Sequence, residues 1–122
     1  MGTKVLIVED KDDGRRLIKS MLEIYGYEVI EAENGAVAVQ MTVDHKPDII
    51  LMDIAMPVMD GIEATMKIRE MDVDRRIPII CITAYGDQYA SGAHSAGCDF
   101  VIPKPIDFRK LDPLLAHYSR TH

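Results

Sequence analysis

The feature that most constrains the fold is an alternation of short, almost wholly apolar runs with segments of helical periodicity. Five runs rich in β-branched or aromatic residues recur along the chain, at residues 4–8, 29–30, 49–52, 78–82 and 100–102. Runs that are apolar throughout, rather than at every second residue, are typical of parallel strands covered on both faces. The chain is therefore predicted to form an α/β domain.

Helical periodicity occupies the segments between these runs. Residues 13–25 place apolar side chains at helical spacing. A second helix is expected to follow Asn34-Gly35 and to end before Pro47, and a third is expected to begin at Gly61. The inward-facing residues of this third helix are predicted to be Ile62, Met66 and Ile68.

The last third of the chain has weaker signals. Residues 86–97 contain three glycines and two serines, so a helix there is expected to pack loosely and to be able to shift. A later apolar stripe consists of Phe108, Leu111, Leu115 and Tyr118. Pro113 interrupts this stripe and predicts a kink or a break, with Asp112 as the cap of a restarted helix.

The order of the predicted elements limits the topology. Five strands joined by right-handed crossovers form a doubly wound parallel sheet with helices on both faces. The flavodoxin-like strand order 2-1-3-4-5 is the expected arrangement. In such sheets the functional site lies beyond the carboxyl ends of the strands, where strands 1 and 3 meet.

Polar residues collect at that predicted edge of the sheet. Glu9 and Asp10 follow strand 1, Asp53 ends strand 3, Thr83 ends strand 4 and Lys104 follows strand 5. Three neighbouring carboxylates repel one another unless a cation intervenes. Lys104 supplies one positive charge, and Mg²⁺, which prefers carboxylate and phosphate oxygens, suits the remainder. A carboxylate nucleophile, a metal, a lysine and a hydroxyl are together the groups that phosphoryl transfer requires.

Length and charge exclude several classes of protein. The chain has 122 residues, which predicts one domain over 1–122. Lys and Arg total 14 against 20 Asp and Glu, so non-specific binding to nucleic acid or to an anionic membrane is not expected. No apolar run is long enough to span a bilayer, and Cys81 and Cys98 lack metal-ligand spacing. A cytoplasmic protein with two reduced thiols is predicted.

Four motifs together resemble the receiver domain of response regulators, the CheY-like family of two-component signalling. They are VLIVED at 5–10, ILMDIAMPVMDG at 50–61, ITA at 82–84 and PKP at 103–105. The resemblance covers essentially the whole chain. It implies the five-stranded fold described above and a single receiver domain without an output domain.

The resemblance also implies a role for each residue of the polar edge. Asp53 matches the phosphoryl acceptor and is also an expected ligand of Mg²⁺ (or Mn²⁺). Asp10 matches a direct ligand of the same ion, and Glu9 a ligand acting through water. The backbone carbonyl of Ala55 would complete the protein's share of the metal shell. Lys104 matches the lysine that pairs with the phosphoryl oxygens, in a cis peptide with Pro105. The sixth role, that of the switch hydroxyl, falls to Thr83.

Partners follow from the same resemblance. The phosphoryl donor would be a sensor histidine kinase or a histidine phosphotransfer protein, and the signal would leave through residues 84–118 to an unidentified protein target. A monomer or weak dimer is expected.

Many family members carry an aromatic switch residue where this chain has Val101. Tyr85 or Tyr89 is a candidate to replace it.

Three alternatives stay open at this stage. The chain could be a receiver excised from a hybrid kinase or a larger regulator. A magnesium-dependent phosphohydrolase would also use Asp53 as nucleophile, but such enzymes require a second acid where Ala55 stands. A flavodoxin would need a phosphate-binding loop in place of the acidic residues 9–13. The receiver interpretation predicts slow autodephosphorylation but no independent substrate turnover.

Overall fold

Five strands alternate with five helices along the chain. The computed structural model describes residues 2–56, 58–71, 76–84 and 90–119. The strands are β1 (Lys4–Val8), β2 (Glu28–Ala32), β3 (Ile49–Asp53), β4 (Ile79–Thr83) and β5 (Phe100–Pro103). The helices are α1 (Asp12–Ile24), α2 (Gly35–His45), α3 (Gly61–Met71), α4 (Ala90–Ala96) and α5 (Phe108–Ser119).

The strands form a single parallel sheet in the order β2-β1-β3-β4-β5. Every pairing is parallel, and the register places Val8 of β1 beside Met52 of β3. This confirms the predicted flavodoxin-like α/β fold and its strand order. It also places the ends of β1 and β3 next to each other, at the point where the direction of winding changes.

Each face of the sheet is covered by its own helices. Side chains from one face of β1, β3 and β4 pack with Ala38 of α2, Ala64 of α3 and Ala93 of α4. The other face packs with Ile18 of α1 and Leu111 of α5. Because both faces are covered, β3 and β4 are buried along their whole lengths. Burial on both faces explains why these strands are continuous apolar runs.

Local signals in the sequence determine where α2 begins and ends. The Asn34 side chain caps the helix by accepting a hydrogen bond from the Val37 N–H at 2.9 Å. At the other end Lys46 adopts a left-handed backbone conformation, with φ of 47°. The helix thus begins at the predicted Asn34-Gly35 pair and ends before Pro47.

The inward face of α3 differs from its prediction. Met66 was expected to face the core, but 51% of its surface is exposed. The buried positions of the helix are Gly61, Ala64, Thr65 and Ile68. These four residues form one stripe at the i, i+3, i+4, i+7 spacing of a helix. Met66 is two residues from Ile68, more than half a turn away, and so lies on the other face.

Helix α5 also differs from its prediction, because Pro113 lies inside an unbroken helix from Phe108 to Ser119. The expected break, with Asp112 as a new cap, is wrong. Pro113 is exposed, whereas the apolar stripe that contains Leu111 and Leu115 is buried against the sheet. Packing of that stripe keeps the helix continuous, and the carbonyl that loses its partner can turn towards water.

Several minor predictions fall in the remaining segments. Of the glycine- and serine-containing segment 86–97, residues Ala90–Ala96 form the short helix α4. Residues 85–89 lie outside the described part of the chain. Cys81 and Cys98 are both buried and form no disulfide. No helix in the described ranges is both long enough and apolar enough to cross a membrane.

Candidate functional site

Three carboxylates meet at the carboxyl edge of the sheet. Glu9 and Asp10 follow β1, and Asp53 is the last residue of the adjacent strand β3. Each offers an oxygen atom, and these three oxygens lie within 4.8 Å of one another. The convergence predicted from the strand order is therefore present in the structure.

Two of these carboxylates are almost fully removed from water. Glu9 is 5% exposed and Asp53 is 2% exposed. Burial of unpaired carboxylates is costly, so such groups require compensating partners. Lys104 provides one, because its Nζ lies 2.9 Å from Asp53 Oδ2 and 3.3 Å from Glu9 Oε1. A single ammonium group therefore links the ends of β1, β3 and β5.

The environment of Lys104 raises the pKa of its ammonium group. Burial is the largest single influence and by itself lowers the pKa. The hydrogen bonds and charges of Asp53 and Glu9 together outweigh burial, so the pKa lies above the ordinary value. Lys104 is therefore fully protonated at neutral pH and balances part of the negative charge.

Backbone amides hold the carboxylates in place. The Ala55 N–H donates to Asp53 Oδ1 at 3.3 Å, and the Lys11 N–H donates to Glu9 Oε2 at 3.4 Å. Among the described residues, no buried side-chain nitrogen or oxygen lacks a hydrogen-bond partner. The two buried carboxylates, Glu9 and Asp53, thus have hydrogen-bond partners, which offset part of the cost of their burial.

Gly61 allows α3 to start directly against the end of β3. Its N–H donates to the Ile54 carbonyl at 2.9 Å. A Cβ atom at this position would collide with the backbone oxygen of Asp53 and would lie 2.8 Å from the Ile54 Cα. A residue without a side chain is therefore required for this close approach.

Thr83 and Lys104 are brought together by the pairing of β4 with β5. Thr83 is buried at the end of β4, and its backbone oxygen accepts a hydrogen bond from the Lys104 N–H at 2.9 Å. The Lys104–Pro105 peptide is cis, as the resemblance implies. The two residues that were predicted to contact a phosphoryl group thus lie on adjacent strand ends.

Other predicted features are only partly described by the structure. Tyr85, Tyr89 and Pro57 lie outside the described residues. Val101 packs against the core cluster shared with α3 and α4, whereas 42% of the Phe100 surface is exposed. The roles of the Ala55 carbonyl and of a water molecule on Glu9 stay predictions.

Arg15 is a residue near the site that the sequence did not reveal. Its Nη1 donates to the backbone oxygen of Glu9 at 2.9 Å, and its Nε donates to Glu31 Oε1 at 3.1 Å. The spacing of Asp12 and Arg15 predicts an ion pair on one helix face. A contact with the Glu9 carbonyl depends on the path of the loop between β1 and α1, which no sequence pattern encodes.

The donor set fits a hard divalent cation. The cluster consists of carboxylate oxygens, which Mg²⁺ prefers over nitrogen or sulfur ligands. Lys104 is a single cation beside a cluster of three carboxylates, and it contacts only Glu9 and Asp53. The cluster can therefore accommodate the additional positive charge of a divalent cation. The arrangement thus combines a buried carboxylate with cation-binding groups, as expected for phosphoryl chemistry.

Comparison with known sequences finds one matching family model. The model for the response regulator receiver domain matches residues 5–116. Among curated relatives, the polar-differentiation response regulator DivK of Brucella anthropi is 36% identical over 121 residues, which cover 97% of each chain. DivK of Brucella suis is 34% identical over the same length.

Solved structures of the same fold include receivers from several bacteria. The receiver domain of the sensor histidine kinase PA1611 from Pseudomonas aeruginosa has a TM-score of 0.89 and 33% identity, covering 98% of both chains. That structure has a magnesium ion coordinated in its active-site cleft. The chemotaxis protein CheY4 of Vibrio cholerae has a TM-score of 0.89 and 27% identity, covering 97% of this chain and 99% of CheY4.

Proposed function

The chain belongs to the response regulator receiver domain family, and we propose that Asp53 is its phosphoryl acceptor. The single observation that carries this proposal is a nearly fully buried carboxylate at the end of β3, held 2.9 Å from the Lys104 ammonium. Receiver domains of two-component systems accept phosphoryl groups from histidine kinases. Within the acidic cluster, Asp53 is the residue at the end of β3, which is the position of the phosphoryl acceptor in receiver domains.

The proposed reaction transfers a phosphoryl group from a phosphohistidine to Asp53. A carboxylate oxygen of Asp53 attacks phosphorus, an O–P bond forms and the N–P bond of the donor breaks. The electron pair of the broken bond stays on that ring nitrogen of the donor. With a proton on its other ring nitrogen, the donor leaves as a neutral histidine. Asp53 is suited to this attack because the Ala55 N–H orients one of its carboxylate oxygens.

Lys104 and the acidic cluster control charge during this reaction. In the unphosphorylated protein Lys104 bridges Asp53 and Glu9, so it is already placed to pair with incoming phosphoryl oxygens. Asp10, Asp53 and the Ala55 carbonyl are the proposed direct protein ligands of Mg²⁺. Glu9 would act through water, and Mn²⁺ is an alternative ion. When bound, the cation neutralises the carboxylates and the phosphoryl oxygens.

We further propose that Thr83 converts phosphorylation into a conformational change. Phosphorylation adds roughly one and a half to two negative charges beside Lys104. Thr83 lies at the adjacent strand end and carries a hydroxyl that can donate to a phosphoryl oxygen. Movement of Thr83 would shift the chain that follows β4, and residues 84–118 would then contact a protein target.

The physiological donor is proposed to be a sensor histidine kinase or a histidine phosphotransfer protein. We propose that the chain acts as one receiver domain over residues 1–122, because DivK of Brucella anthropi matches it over 97% of both lengths. The alternative, a receiver that forms part of a kinase, is supported by the PA1611 receiver, which matches over 98% of both chains. The proposed location is the cytoplasm and the proposed state a monomer or weak dimer.

An experiment with small-molecule substrates separates the receiver from a hydrolase. Phosphoramidate, which carries an N–P bond like phosphohistidine, should phosphorylate the protein stoichiometrically in the presence of Mg²⁺. p-Nitrophenyl phosphate should give no sustained turnover, because Ala55 stands two residues after Asp53, where such a hydrolase requires a second acid. Continuous release of p-nitrophenol by the wild type, lost in Asp53→Asn, would instead support a phosphohydrolase.

A further inference from the structure

Arg15 contacts the peptide unit that joins two members of the acidic cluster. Its Nη1 donates to the backbone oxygen of Glu9 at 2.9 Å. That oxygen belongs to the planar peptide between Glu9 and Asp10, so its orientation influences the direction in which both side chains leave the backbone. The Glu9 N–H donates to the Ala32 oxygen of β2 at 3.1 Å. Glu9 is thus held on both sides.

Two acidic residues fix the guanidinium of Arg15 in turn. Its Nε lies 3.1 Å from Glu31 Oε1 and its Nη2 lies 2.6 Å from Asp12 Oδ1. Lys19 contacts the other oxygen of Glu31 at 3.4 Å. The Arg15 side chain is only 15% exposed. The three nitrogens of the guanidinium thus donate to three different acceptors, on Glu9, Glu31 and Asp12. Because the N–H groups of a guanidinium have a fixed planar arrangement, these three hydrogen bonds restrict it to one orientation.

We propose that Arg15 is a positioning residue for the cation site, holding the Glu9–Asp10 peptide so that both carboxylates face Asp53. The inference rests on the proposed function, because it assumes that this cluster binds Mg²⁺. Hydrogen-bonding partners that orient metal ligands affect affinity although they never touch the metal. Arg15 belongs to this class through its contact with the backbone.

A positioning role and a purely electrostatic role predict opposite effects on Mg²⁺ affinity. Arg15 is a cation close to a site for a cation, so loss of its charge alone would strengthen Mg²⁺ binding. Loss of its hydrogen bond would free the peptide and weaken Mg²⁺ binding. The sign of the change therefore separates the two roles. Arg16 is the matched control, since it is the next residue of α1, carries the same charge and is exposed.

The test is a titration of the whole protein with Mg²⁺, at constant ionic strength and without phosphodonor, followed by amide NMR spectra. Arg15→Gln is expected to raise the dissociation constant about tenfold, at the low end of the usual effect of such partners. Arg16→Gln is expected to leave it within about twofold or lower it slightly. Arg15→Lys keeps the charge but cannot reach three acceptors, so its dissociation constant should lie between wild type and Arg15→Gln.

The possible outcomes separate this inference from the proposed function. An Arg15→Gln dissociation constant at or below that of wild type would overturn the positioning role while leaving the Mg²⁺ site intact. Failure of the wild type to bind Mg²⁺ would overturn the proposed function itself. If Arg15→Gln does not fold, Glu31→Gln decides the question. Glu31→Gln should weaken Mg²⁺ binding more than Glu33→Gln at the exposed neighbouring position, and equal effects would count against the role.

Discussion

At the scale of single residues, the site depends on a balance between burial and pairing. Asp53 and Glu9 are nearly inaccessible to water, and both contact the Lys104 ammonium. A buried carboxylate that loses its cation is destabilising, because its desolvation is then uncompensated. Lys104 is therefore expected to stabilise the unphosphorylated protein as well as to pair with a phosphoryl group.

Replacement of Lys104 by methionine should lower the free energy of unfolding at pH 7 without Mg²⁺. We expect a loss of about 1–2 kcal/mol, less than for a fully buried pair because Lys104 is partly solvated. The folded-state pKa of Lys104 lies above its ordinary value of 10.5, so its contribution is complete below that pH. The contribution should disappear as pH rises through the folded-state pKa.

Urea denaturation of both proteins between neutral and alkaline pH measures this effect. The wild-type advantage should be constant at lower pH and should narrow above pH 10.5. Lys110→Met, at an exposed position of α5, is the control and should track the wild type. An advantage that persisted unchanged into strongly alkaline solution would contradict the assigned role of Lys104.

At the scale of elements, most of the secondary structure could be predicted because it depends on local patterns. The run at 49–52 predicts β3, and Asn34-Gly35 predicts the start of α2, where Asn34 is the cap. The inward prediction for Met66 was wrong because it conflicts with the helical spacing of the buried stripe that ends at Ile68. The break at Pro113 was wrong because the packing of α5 on the sheet keeps the helix continuous. Tertiary packing overrides local propensity at such positions.

Helix α5 offers a test of this override. Pro113 removes a backbone hydrogen bond from the helix interior at an exposed position, so Pro113→Ala should stabilise the protein. We expect the free energy of unfolding to rise by about 1–2 kcal/mol. A proline in a helix interior costs about 3 kcal/mol, but it also lowers the conformational entropy of the unfolded chain, and this stabilising effect is lost in the variant. Urea denaturation measures the change. His117→Ala, also exposed on α5, should give a smaller change, and a loss of stability in Pro113→Ala would contradict this account.

At the scale of the whole molecule, strand order is what assembles the site. Glu9, Asp53 and Lys104 lie far apart in sequence but stand at the ends of three strands that share one edge of a parallel sheet. This convergence could be predicted because parallel strands share a direction. The Lys104 bridge to Glu9 and the Arg15 contact could not, because they depend on loop paths and side-chain rotamers.

Signal output is also a property of the whole molecule. Thr83→Ala should leave the stoichiometry of phosphorylation by acetyl phosphate unchanged, because Thr83 is not the acceptor. It should reduce the change in amide hydrogen exchange that phosphorylation causes in residues 90–118, whereas Thr83→Ser should retain that change. Equal exchange changes in wild type and Thr83→Ala would contradict the proposed switch.

The proposal that Asp53 accepts the phosphoryl group can be tested by intact mass spectrometry. Wild type and Asp53→Asn are incubated with Mg²⁺ and acetyl phosphate under identical conditions. Asparagine keeps the shape of the side chain but lacks the nucleophilic carboxylate. One phosphoryl adduct is expected on the wild type and none on Asp53→Asn. The same adduct on both proteins would contradict the proposal.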